Sequence, residues 1–88
     1  MDAVYRVVEV KSGKEMNRFT NLVDACVLWV KYPRERRVEE MAVGTNDVIR
    51  RVTPDECCSA LRKWLPENKF LSRDERADMA VLIEEACG

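Results

Sequence analysis

The chain is 88 residues long, 47% apolar and 35% charged, with a formal net charge of −1 and no histidine. That length suits one independently folding domain, and the balance of apolar to charged residues excludes a disordered chain. The charge is also spread evenly, with five basic and four acidic groups in residues 1–32, five and four in 33–53, and five and eight in 54–88, which argues against a dedicated nucleic-acid binder.

Val4 to Val10 is rich in Val and Tyr and predicts a strand. Lys11-Ser12-Gly13-Lys14 supplies turn chemistry, and Glu15 to Phe19 returns as a second strand. The run Asn21 to Tyr32 is the greasiest of the chain, apolar at eight of the nine positions from Leu22 to Val30. Leu22, Cys26, Trp29 and Val30 repeat at helical spacing, Thr20 or Asn21 can cap, and Pro33 ends the helix. A helix apolar around most of its circumference belongs inside a protein or against a partner.

Arg34-Glu35-Arg36-Arg37 connects to a third strand, Arg37 to Val43. The turn cluster Gly44-Thr45-Asn46-Asp47 leads to a fourth strand, Val48 to Val52. Thr53-Pro54-Asp55-Glu56 combines an N-cap, a proline at the first helical position and a capping-box glutamate. Cys57, Cys58, Leu61, Trp64 and Leu65 share one face of that helix, which Pro66 is expected to stop. Ser72-Arg73-Asp74-Glu75 is a second capping box, opening a helix with Met79, Leu82, Ile83 and Ala86 on its apolar side. Gly88 is available as its terminator.

The order is therefore ββαββαα, an α+β fold in which two hairpins make a four-stranded antiparallel sheet covered on one face by helices. Residues 1–88 form one domain. Residues 4–32 and 36–65 read as a weak pseudo-repeat of hairpin plus Trp-containing helix, followed by a C-terminal helix over 72–87.

Cys26, Cys57, Cys58 and Cys87 are read as reduced, buried thiols, since three fall on apolar helix faces and nothing else suggests an oxidising compartment. Their spacing matches no metal site, and without histidine a zinc site would need all four to converge. The opening run Met1–Val7 lacks a basic region followed by an apolar one, so no secretory leader is expected. No stretch reaches the ~20 apolar residues of a membrane-spanning helix. A cytoplasmic protein with no membrane partner is the expectation.

Chemistry is sparse. The missing imidazole removes the usual Ser-His and Cys-His arrangements, the adjacent pairs Glu39-Glu40 and Glu84-Glu85 do not aim at one site, and no Gly-rich phosphate loop exists. No enzyme activity and no cofactor or metal are expected.

The candidate contact residues are Tyr32, Arg34, Arg36 and Arg37 after the apolar helix, Arg50 and Arg51 on the fourth strand, and Trp64 near a helix end. Trp, Tyr and Arg dominate protein–protein hot spots, while arginines beside a tyrosine also suit single-stranded nucleic acid. Interleaved Glu35, Glu39 and Glu40, and the opposite directions of Arg50 and Arg51 along a strand, favour a salt-bridged sheet surface over nucleic acid. A homo-oligomer burying the surplus apolar helix is a third reading.

In size and element order the chain resembles many small proteins of phages and mobile elements that act as stoichiometric inhibitors of a host complex, anti-CRISPR proteins among them. That resemblance of type rests on no motif. It implies a protein partner and no catalysis.

Overall fold

The computed structural model describes residues 3–88; Met1 and Asp2, which the one-domain reading includes, lie outside them. The expected order is observed as β1 (Val4–Glu9), β2 (Glu15–Phe19), α1 (Leu22–Val30), β3 (Arg36–Met41), β4 (Val48–Val52), α2 (Pro54–Glu67) and α3 (Arg73–Cys87). All strand pairs are antiparallel and the sheet order is β2-β1-β3-β4. The two hairpins thus sit side by side, with β1 and β3 in the middle.

Each hairpin closes on a glycine with positive φ, Gly13 at 72° and Gly44 at 77°, a conformation that a Cβ would strain. In the first, Gly13 N–H donates to Glu9 O at 2.8 Å, and in the second Thr45 N–H donates to Ala42 O at 3.2 Å. Both hairpin strands end earlier than the apolar pattern suggests. Val10 begins the first turn, although its N–H still donates to Glu35 O at 2.9 Å, one step beyond the Glu9–Arg36 pair. Ala42 and Val43 belong to the second turn, where Ala42 N–H donates to Asp47 O at 2.9 Å.

Alternation along the strands sends one row of valines to the helices. Val7, Val38 and Val52 are in register across β1, β3 and β4. They are buried in one cluster with Ala25, Cys26, Trp29 and Val30 of α1, Cys57, Cys58 and Leu61 of α2, and Ile83 of α3. Tyr5 and Phe19 pack against its edge. The core reading of Trp29 is correct, at 3% exposed. α1 lies against β1, β2 and β3, α2 packs on α1, and α3 packs on α2 and on α1.

The caps form where the sequence places them. Asn21 Oδ1 accepts Val23 N–H at 2.9 Å, and full capping boxes join Thr53 to Glu56 and Ser72 to Glu75. Pro66 does not stop α2, which continues through it to Glu67. A proline in the last turn forfeits only the bond to the carbonyl four residues back. The Arg76 guanidinium also binds the end of the helix, donating to Leu65 O at 3.1 Å and to Asn68 O.

The four cysteines do not share one state, and the reduced-thiol expectation is corrected for two of them. Cys58 and Cys87 form a disulfide between α2 and the end of α3, whereas Cys26 and Cys57 are free and buried. Adjacent helical residues point about 100° apart, so Cys57 turns inward to Cys26 of α1 while Cys58 faces α3. Their hydrogen bond, then burial, holds the Cys26 thiol well above its ordinary pKa. Among the described residues no group of three or more metal-ligating side chains converges, and no helix is long and apolar enough to cross a membrane.

Candidate functional site

The sequence-predicted contact residues fall in four places. Arg37 and Arg51 lie on the outer face of the sheet, away from the helices. Arg50, one residue from Arg51, points to the helix side. Tyr32, Arg34 and Arg36 gather in the α1–β3 connection. Trp64 is half-buried near the end of α2, against the core cluster.

On the outer face, strand register places Arg18, Arg6, Glu39 and Arg51 in one row across all four strands, with Glu15, Val8 and Arg37 in the next. The charges link into one chain. Glu39 accepts from Arg37 Nε at 2.9 Å and from Arg6 Nε at 2.7 Å. Arg6 reaches Glu15 at 3.5 Å, and Glu15 accepts from Arg18 Nε at 2.8 Å. Arg18 Nη2 donates to Asn46 Oδ1 at 2.8 Å, drawing the β3–β4 turn toward the opposite edge strand.

Beneath this layer Val8 and Met41 are fully buried, although neither belongs to the helix-side cluster. Arginine stems cover apolar surface while their charged heads stay hydrated. The Arg18 hydrogen bond is the main cause that lowers the pKa of Glu15.

Arg6, Arg18, Glu15 and Glu39 were not among the predicted site residues. Arg6 meets Glu39 only because β1 pairs with β3, a long-range register with no local signal. Arg50 is also occupied, bonded to Glu40 at 3.0 Å and to the capping glutamate Glu56 at 2.8 Å. That contact ties β4 to the start of α2, lowering the pKa of Glu56 and raising that of Arg50.

The α1–β3 connection is built differently. α1 finishes in two successive turns, Tyr32 N–H to Trp29 O and Glu35 N–H to Tyr32 O, both at 3.1 Å. Arg36 then turns back, donating from Nη1 to Leu28 O at 2.6 Å and stacking its guanidinium 4.7 Å from the centre of the Tyr32 ring. This places a cation at the negative end of α1 and fixes the tyrosine by a cation–π contact.

Tyr32 remains 54% exposed. It stands on a concavity of about 300 Å3 whose apolar lining includes Val30, Pro33, Leu82 and Ala86, with Arg34 exposed on its rim. An aromatic ring, an exposed guanidinium and a lining that mixes apolar side chains with Lys31, Glu35 and Glu85 therefore meet at one place. Comparison with protein-family models, curated proteins and solved structures finds no match for this chain.

Proposed function

We propose that this protein is a small non-catalytic binding module whose partner is another protein, contacted through Tyr32, Arg34 and the concavity that α3 completes. One observation carries the reading: Tyr32 is held by Arg36 with its ring exposed, beside the exposed Arg34 and a hollow of mixed apolar and charged lining. A preorganised aromatic next to a pocket and an arginine is the composition of an interface hot spot, with little ordering entropy left to lose on binding. A stoichiometric inhibitor that docks as a rigid body is the form its size suits.

The nucleic-acid reading has less support. Arg6, Arg18, Arg37 and Arg50 are each bonded to a carboxylate, so phosphate contacts would first have to displace those partners. Arg51, on the outer-face edge, belongs to the same alternative.

The test is affinity capture from cell lysate, followed by measured affinity for the captured protein. Tyr32→Ala combined with Arg34→Glu is expected to lose the partner, while Arg51→Glu retains it. Equal capture by all three chains sinks the proposed surface. A mobility shift with DNA or RNA that weakens steeply with salt supports the alternative instead.

A further inference from the structure

The most exposed apolar side chain of the fold is Phe70, 96% accessible in the short connection between α2 and α3. Its position is held. Asn68 Oδ1 accepts Phe70 N–H at 2.8 Å, and Arg76 binds the carbonyls of Leu65 and Asn68. Beside it runs a groove of about 500 Å3 between α1 and α3, with Val27, Leu28, Trp64, Leu71 and Met79 among its lining residues. Among the described residues the groove stands open, and Phe70 is not part of its lining.

We propose that two copies of this chain associate through this patch, Phe70 of each entering the groove of the other. A two-fold interface uses the same surface on both partners, so it needs a knob and a hole on one patch. Trp64 supplies that continuity, because it lines both the groove and the hollow against Phe70.

Charge matches as well. Glu67 and Lys69 flank the knob. Asp24 and Lys31 stand on the groove's α1 side, seven residues and therefore about 10 Å apart on one helix face. Lys69 entering at the Asp24 end brings Glu67 toward Lys31, so each charge meets its opposite. Glu75, also at the groove, adds to the field drawing Lys69. The patch sits at the N-terminal end of α3, whereas the Tyr32 concavity uses Leu82 and Ala86 near its C-terminal end. The dimer goes beyond the proposed partner contact and would present two copies of it.

Sedimentation equilibrium on the full chain tests this. The wild type is expected to dimerise, and Phe70→Ala, which removes both knobs of the two-fold interface at once, to weaken dimerisation about a thousandfold, the size of two hot-spot truncations. Lys69→Glu and Asp24→Lys should each weaken the dimer, and together restore part of it. Phe70 makes no core contact, so an unchanged circular-dichroism melt verifies the fold of that variant. A wild type that stays monomeric at its highest soluble concentration overturns the proposal. So does a dimer that survives Phe70→Ala, or a charge-reversed pair no better than its singles.

Discussion

The two faces of the sheet use the same four strands and exclude water by different means. On the helix side, Val7, Val38 and Val52 meet Leu61, Trp29 and Ile83, and apolar area removed from water does the work. On the outer side, no helix covers Val8 and Met41, yet both are 0% exposed. Around them on that face lie Val4 and Val48, in register with Met41, and a layer of arginine and glutamate side chains cross-linked through Glu39 and Glu15. Val38 and Glu39 are sequence neighbours buried on opposite faces, and they stand for the two solutions. One face is held mainly by non-directional packing. The other depends on which charge lies opposite which.

The largest expected effect lies on the helix side. Leu61 is fully buried at the junction of α2 with the core, so Leu61→Ala should cost about 2–5 kcal/mol through lost transfer energy and the cavity left behind. Chemical denaturation reads it as a lower midpoint at constant slope.

The disulfide comes next. α3 buries only Ile83 completely, and Cys58–Cys87 closes a loop with a sequence separation of 29. Cys58→Ser is expected to cost about 3 kcal/mol. Hydrogen exchange should locate the loss in α3 more than in the sheet. Indistinguishable melts of the oxidised and reduced protein would contradict a structural role for the link.

On the outer face, Glu39→Gln removes the carboxylate shared by Arg6 and Arg37. Both guanidinium groups are only partly buried, at 22% and 29% exposed, and water can reclaim them. The expected cost is about 1–2 kcal/mol, shrinking in high salt, where Leu61→Ala does not. A salt-independent loss would argue that Glu39 acts by packing.

The smallest effect is on pH dependence, to which the outer face and the helix caps both contribute. Glu15, Glu56 and Glu75 all have lowered pKa values, from Arg18, from Arg50 and from the Ser72 cap respectively. Their stabilisation is fully present above the unfolded glutamate pKa of about 4.3 and is lost as pH falls through the lower folded values. An acid titration of the melting temperature should therefore be flat around neutrality and fall only below that range. Mutating Glu15 to Gln should remove part of the fall.

Most of the fold was legible because its signals are local. Turn glycines, capping boxes and alternation fix the order, strand type and length of each element within a few residues. What escaped depends on distant pairing. The sequence says two hairpins but not that β1 and β3 form the centre, and with that register unknown Arg6 and Glu39 have no reason to be associated.

The disulfide escaped likewise, since vicinal cysteines on a helix point to different neighbours and only the packing of α3 says which one finds Cys87. Pro66 reads as a stop unless Arg76, ten residues on, is known to hold the carbonyls around it. Of the candidate site, Tyr32, Arg34 and Arg36 come together because they are close in sequence. Arg37, Arg50 and Arg51 separate because strand alternation and register decide their faces. Phe70 gave no signal beyond its place in a short polar connection.

The proposed contact with a partner runs through Tyr32 and Arg34 and not through the arginine layer of the sheet. Hydrogen exchange on the protein with and without its captured partner tests that most directly. Added protection is expected over residues 30–36 and 82–87, with β1 and β3 unchanged. Protection concentrated on β1, β3 and β4, with residues 30–36 unaffected, would contradict it.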